Sequence, residues 1–361
     1  MDEPAEYNSH LKVNEGIEQP GQINPTAVDR LRSLRQGLLS PSAYVDGILA
    51  GDMVLLSKAI TLVESALPVH QEIAQEIIAA CLPRAGKAVR LGITGVPGAG
   101  KSTFIEALGM HLIGKGSKVA VLAIDPSSQR SKGSILGDKT RMESLATHPQ
   151  AYIRPSAAAG TLGGVARKTR ETIMLCEAAG FDIIIVETVG VGQSETAVHA
   201  MVDYFLLLMI SGAGDELQGI KRGIMEMADG IAINKADGDN IPKANRAKAE
   251  CENALHLFPL PASGVSPGVL TCSALTGNNI DGVWSMVEEY IQTTRDNGFM
   301  EQKRLLQSVQ VLYEHIDSQL KTMFLSDPEV SRLLPILEQQ IFESKVSAYQ
   351  AANILLQAWK K

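Results

Sequence analysis

Between residues 88 and 297 the chain alternates two patterns. Short runs are apolar almost throughout: "VRLGIT", "KVAVLAI", "AYIRP", "FDIIIVE", "DYFLLLMI", "GIAIN" and "GVLTCS". The stretches between them place apolar residues three and four apart. Runs lacking polar alternation belong to strands covered on both faces, so the pattern predicts an α/β fold whose mainly parallel sheet carries helices on either side. Residues 27–87 read differently. There "AVDRLRSLRQGLL", "DMVLLSKAITLVESAL" and "HQEIAQEIIAACL" each show helical spacing, which predicts an N-terminal helical region. Residues 298–361 predict three amphipathic helices, "MEQKRLLQSVQVLYEHIDSQLKTMFL", "PEVSRLLPILEQQIFES" and "SAYQAANILLQAW". Their apolar faces must pack on the main domain or on a second subunit. Residues 1–26 carry Pro, Gly, Asn and Glu without a period and are expected to form a flexible tail.

Composition narrows the function classes. With 361 residues and 45% of them hydrophobic, the chain can bury a substantial core. A formal net charge of −7 supplies no broad basic field, so nucleic acid is not an expected partner. The longest apolar runs, such as "YFLLLMI", fall far short of the roughly 20 residues a membrane span needs, and the polar start "MDEPAEYNSH" does not read as a leader. The expected location is the cytoplasm, or the mitochondrial matrix if an import segment has been removed. Cys81, Cys176, Cys251 and Cys272 are widely spaced and pair with no histidine cluster, so they read as reduced, buried thiols.

One turn stands apart from the packing pattern. "GVPGAGKST", Gly95, Val96, Pro97, Gly98, Ala99, Gly100, Lys101, Ser102 and Thr103, links a predicted strand to a predicted helix and fits G-x-x-x-x-G-K-S/T. Glycines let successive backbone N–H groups converge on phosphate oxygens, and the helix N-terminus adds partial positive charge. Lys101 is expected to reach the β- and γ-phosphates, and Ser102 to ligate Mg²⁺.

The base is addressed further along. "NKAD" closes a strand, setting the Asn234 amide, the Lys235 stem and the Asp237 carboxylate at the carboxyl edge of the sheet. A carboxylate accepts from the paired donors of guanine, and adenine has no such pair. The "CSAL" turn, with Ser273, Ala274 and Leu275, is placed to offer the Ala274 N–H to the guanine oxygen. GTP and GDP are therefore the expected ligands.

"FDIIIVETVGVGQSE" ends an apolar strand near Glu187, with Gly190 three residues on. The carboxylate is expected to hold a water of the Mg²⁺ shell and the glycine to contact the γ-phosphate. Val191 occupies the position where Ras-like GTPases carry a water-orienting glutamine, which predicts slow hydrolysis in isolation. Asp125 ends another strand and is a second candidate for the metal shell, while Asp138 lies in a polar turn, "GSILGDKTRM", that could close over the nucleotide.

Together, "GVPGAGKSTFIEALG", "AIDPSS", "GSILGDKTRM", "FDIIIVETVGVGQSE", "GAGDELQGIKRGIMEMADGIAINKADGDN" and "TCSAL" resemble the MeaB/ArgK/MMAA family of GTPases. The likeness runs from about residue 50 to the end of the main domain and more loosely through the helical tail. It implies a P-loop fold of the SIMIBI type. It also implies a homodimeric GTPase chaperone that assists cofactor loading and protection of an adenosylcobalamin-dependent acyl-CoA mutase, usually methylmalonyl-CoA mutase. By resemblance Asp125, Asp138 and Glu187 fall around Mg²⁺ and the switch loops, with Lys101, Glu187 and Asp138 carrying catalysis. Residues 212–222, including Lys221, become a third switch toward the mutase. The loop "DPSSQRSKGS" departs from the family pattern, which leaves open whether a related acyl-CoA mutase is served. Two other classes compete: a P-loop small-molecule kinase, which the guanine-reading pair disfavours, and a nickel-delivery GTPase, for which the chain lacks a His-rich tract.

Overall fold

The computed structural model describes residues 38–124, 142–155, 162–188, 194–211 and 222–359. Three helices come first: α1 (Pro41–Leu49), α2 (Met53–Glu64) and α3 (Pro68–Cys81). The carboxylate of Asp52 caps α2 by accepting from the N–H groups of Val54 and Leu55 at 2.8 and 3.0 Å, an arrangement that contributes about 1 kcal/mol. Strands and helices then alternate: β1 (Val89–Gly95), α4 (Lys101–Gly114), β2 (Val119–Ile124), α5 (Glu143–Ala146), β3 (Ala151–Pro155), α6 (Leu162–Ala178), β4 (Ile183–Thr188), α7 (Ser194–His199), β5 (Tyr204–Ile210), α8 (Arg222–Met227), β6 (Gly230–Asn234), α9 (Ile241–Leu255), β7 (Gly268–Thr271) and α10 (Ile280–Asp296). The C-terminal helices are α11 (Phe299–Ser326), α12 (Pro328–Phe342) and α13 (Ala348–Trp359).

All seven apolar runs are strands of one sheet, ordered β3-β2-β4-β1-β5-β6-β7, with every pairing parallel. The α/β expectation is met. Side chains alternate across the sheet as the pleat requires. In β5, Tyr204, Leu206 and Leu208 join the core beneath α4 and α10. Phe205 meets the N-terminal helices, α6 and α7, while Leu207 and Met209 join α8 and α9. At Gly92 of β1 the second face has no room for a side chain, because an added Cβ would stand 2.8 Å from Phe205 and 3.0 Å from Val198 and Val202.

Chain order leaves β1 and moves across β4 to β2 and β3, then returns through β4 and crosses to β5. The carboxyl end of β1 is thus the place where strand order reverses, and crevices that bind ligands open at such points. The opposite end of β1 is closed by ion pairs. Arg90 binds Glu177 through two bonds of 2.9 and 3.0 Å, and Arg304 of α11 binds Asp203 through two of 2.7 and 2.6 Å. Asp203 also accepts from the Arg90 N–H at 2.8 Å, and the Arg304 guanidinium donates to the carbonyls of Gly86 and Ala88.

Beyond this anchor α11 stays on the body through Gln307 and Glu314, which meet Val202 and Arg170, while much of its apolar surface faces outward. Its Leu305, Leu306, Val309, Tyr313, Leu320 and Met323 are exposed, while α12 and α13 close a small core of Val330, Leu337, Ala351 and Leu355. Phe324 packs edge-on against Trp359 with ring centroids 5.5 Å apart.

Candidate nucleotide site

Glycines shape the turn after β1. A Cβ at Gly95 would stand 2.2 Å from the Leu208 carbonyl oxygen, so only a residue without one lets the chain pass β5 there. Gly100 has a φ of +84° and caps α4, and a Cβ on it would stand 2.9 Å from Nδ2 of Asn234. Its carbonyl accepts the N–H of Phe104, so the N–H groups of Lys101, Ser102 and Thr103 head the helix without partners in its own turn. Val96, Pro97, Gly98 and Ala99 complete the loop, with Pro97 and Gly98 exposed and Ala99 buried.

Lys101 folds over this loop. Its ammonium donates to the carbonyl of Gly95 at 2.9 Å and lies 3.5 Å from that of Val96. Desolvation pulls its pKa below the ordinary lysine value, against the raising influence of Glu187 and Glu195. An ammonium in this position gains from a triphosphate, which supplies the negative charge that two neutral carbonyls lack.

Ser102 and Glu187 meet. The Ser102 hydroxyl donates to Oε1 of Glu187 at 3.4 Å, and Glu187 is 6% exposed. The register aligns Glu187 with Ile93 of β1 and Ala123 of β2, so it projects at the carboxyl edge of the sheet. A hydroxyl and a carboxylate are hard oxygen donors of the kind Mg²⁺ takes. No cluster of three His, Cys, Asp or Glu residues occurs among the described residues, so phosphate oxygens and water would have to complete such a shell. Beneath the loop the Thr188 and Thr94 hydroxyls bond at 2.9 Å, joining β4 to β1.

The residues expected to read guanine also converge. Asn234 is only 2% exposed. Its Nδ2 donates to the Ala99 carbonyl at 2.8 Å, and its Oδ1 accepts the Ala274 N–H at 3.0 Å. The amide therefore ties the phosphate loop to the "CSAL" turn. The Ala274 N–H, expected to meet the guanine oxygen, is occupied by this bond. Asp237 accepts from the Ser273 hydroxyl, which orients the carboxylate. Lys235 is exposed with a φ of +60°, and its Cε lies 3.9 Å from where a Gly100 Cβ would stand. Leu275 is 82% exposed at the tip of the second turn.

Asp125, Asp138, Gly190, Val191, Gln193 and residues 212–221 lie outside the described residues. The sequence reading missed two supports. Asn240 donates to the Lys235 carbonyl at 2.6 Å and accepts from the Ser211 hydroxyl at 2.7 Å, holding the "NKAD" loop against β5. Glu195, 5% exposed at the start of α7, adds its charge at Lys101. The acid in "GQSE" and the final Asn of "NKADGDN" were the available signals.

A phosphate-type loop at the switch point of a parallel sheet, a strand-end carboxylate against its serine, and an Asn-Lys-Ala-Asp loop at the same edge define a P-loop GTPase. Comparison with known proteins agrees. A protein of Caulobacter vibrioides described as a putative GTPase is 50% identical over 312 residues, covering 86% of this chain and 95% of that one. GTPase ArgK of Escherichia coli is 46% identical over 85% of this chain and 88% of its own length. The mouse mitochondrial methylmalonic aciduria type A homolog is 44% identical over 87% and 78%. A crystal structure described as a LAO/AO transport system kinase aligns with a TM-score of 0.71 at 37% identity, covering 90% of this chain and 100% of that one. The family model for the methylmalonyl Co-A mutase-associated GTPase MeaB matches residues 56–329, and the chain belongs to that family. No helix among the described residues is long and apolar enough to cross a membrane.

Proposed function

We propose that this GTPase is a nucleotide-driven chaperone of an adenosylcobalamin-dependent acyl-CoA mutase, methylmalonyl-CoA mutase before its relatives, which it serves in cofactor loading and protection. The observation that carries the reading is the family match over residues 56–329.

In this reading the backbone of Gly95 to Thr103 cradles the phosphates. Lys101 exchanges its loop carbonyls for β- and γ-phosphate oxygens. Ser102 and Glu187, with Asp125 and Asp138, would hold Mg²⁺, which would neutralise charge on the phosphates. Asp237, oriented by Ser273, accepts from guanine, Lys235 lies along the purine, and the Leu275 N–H takes the guanine oxygen, since Ala274 is engaged by Asn234. The loops after Glu187 and between β5 and α8 then respond to the γ-phosphate. With Val191 in place of a glutamine, turnover is slow until the mutase completes the site.

A homodimer fits the same reading. The exposed Leu305, Leu306, Val309, Tyr313 and Leu320 of α11 form an apolar surface that a second copy would cover. The test is kinetic: purified chain is mixed with methylmalonyl-CoA mutase and with related acyl-CoA mutases, and GTP hydrolysis is followed as phosphate release. Stimulation by one of them is expected, and a rate indifferent to all would remove the chaperone role. The likeness to a protein described as a transport system kinase keeps a second reading in view. Transfer of the γ-phosphate of GTP to a small metabolite, read as a labelled product other than phosphate, would establish it.

A further inference from the structure

Helix α7 runs back along the sheet from its carboxyl edge, since β5, which follows it, starts level with Leu91 of β1. Val198 fixes its height: a methyl carbon of Val198 stands 3.0 Å from where a Cβ of Gly92 would be. Glu195, three residues earlier on the same face, therefore lies about 4.5 Å nearer the carboxyl edge, toward Thr94 and Gly95. The Lys101 ammonium rests on the Gly95 carbonyl at 2.9 Å. Burial lowers the pKa of that ammonium, and the charges opposing the shift are those of Glu187 and then Glu195. Helix position and electrostatic reach thus place Glu195 at the phosphate end of the site.

Glu195 is 5% exposed, yet among the described residues no hydrogen bond or ion pair reaches its carboxylate. Neither of its oxygens belongs to the sealed, unpartnered atoms, so a water molecule can touch both. An acid in the first turn of a helix gains from the helix dipole without being buried, whereas a buried carboxylate with no partner is costly. Such a group beside a phosphate site points to a proton donor that arrives with the substrate. Glu187 is already engaged, accepting from Ser102. Water supplies what Glu195 lacks: it donates one hydrogen to the carboxylate and turns a lone pair toward the γ-phosphorus, and two anions tolerate each other across it.

We propose that Glu195 is the catalytic residue that orients the attacking water in GTP hydrolysis, the part that Val191 leaves unfilled. The water oxygen bonds to the γ-phosphorus while the bond from that phosphorus to the β,γ-bridging oxygen breaks, its electron pair leaving with GDP. The proton released as water becomes a phosphate hydroxyl passes by way of Glu195 to a phosphate oxygen, giving GDP and inorganic phosphate. This role rests on the phosphate site proposed above and is independent of the mutase.

The test is Glu195→Gln, which keeps the size of the side chain and removes its charge. Phosphate release by the full chain alone, measured in a single turnover at saturating GTP, should fall at least about tenfold. GTP should bind at least as tightly as before by calorimetry, because an anion beside the triphosphate is gone. An unchanged rate overturns the proposal, as does weakened GTP binding with the saturated rate intact. A crystal of the unaltered chain with GDP, Mg²⁺ and aluminium fluoride decides even where the variant fails to fold. It should show a Glu195 oxygen hydrogen-bonded to the axial water. An axial water held by other groups alone, or Glu195 bound to Mg²⁺, overturns the role of Glu195 and leaves the phosphate site standing. A nucleotide lying away from Lys101 overturns both.

Discussion

The two ends of β1 hold buried polar groups in opposite conditions. At its start, Arg90 and Arg304 each meet a carboxylate through two bonds, and neighbouring backbone groups fill most of what is left. At its finish, Lys101 leans on two carbonyls of its own loop, and Ser102 and Glu187 touch through one long bond of 3.4 Å. The first arrangement is saturated and fixes the sheet to α11. The second would, under the proposed function, exchange these contacts for phosphate oxygens and a cation. Burial alone does not separate structure from chemistry here; what separates them is that the first set is locked into paired carboxylates while the Lys101 ammonium leans on loop carbonyls.

The largest effect that would test this contrast belongs to Arg304→Ala. Asp203 is 1% exposed at its side chain and would lose its counter-charge, which costs about 3–5 kcal/mol. Urea unfolding should show that loss, while GTP affinity of the folded protein stays as it was; a fall in both would mean that the ends of β1 are not separate. Lys101→Ala should do the reverse. Losing charge-assisted bonds to two phosphates weakens GTP binding by roughly a hundredfold or more, read by calorimetry. The urea midpoint should barely move, because the ammonium is held at a desolvation cost.

The smallest effect concerns the thiols. Burial raises Cys251 to about 11 and Cys272 to about 12, from an ordinary 9.0. The protonated thiol is therefore the form the fold favours. Its contribution is complete below about pH 9 and is lost as the pH climbs toward the folded values. All four cysteines are buried, so a thiol reagent at pH 8 should label the native protein no faster than it unfolds. Rapid labelling of Cys272 would show that the "CSAL" turn opens locally.

Local signals explain most of what could be read from the chain. Seven apolar runs became seven strands, and α2, α3 and the three C-terminal helices follow the residue spacing because each buries a face set by its own periodicity. Helix α1, "PSAYVDGIL", was not foreseen, since a nine-residue helix with only Tyr44 and Ile48 buried offers little period to detect. The phosphate loop was legible because its glycines answer to local backbone geometry. Asn234 was legible by position, but its two long-range bonds were not. Its partners are Ala99, 135 residues earlier, and Ala274, 40 residues later, and no short pattern announces a bond over such separations. The same holds for Arg304 and Asp203, 101 residues apart.

The side chain of Asn234 reaches Ala99 with one atom and Ala274 with another. The phosphate loop and the "CSAL" turn thus share a single rivet, and neither can retreat without tugging its counterpart. Under the proposed function the two would hold opposite ends of one nucleotide, so exit of the spent diphosphate would require both to let go together, and slow GDP release is the expected outcome.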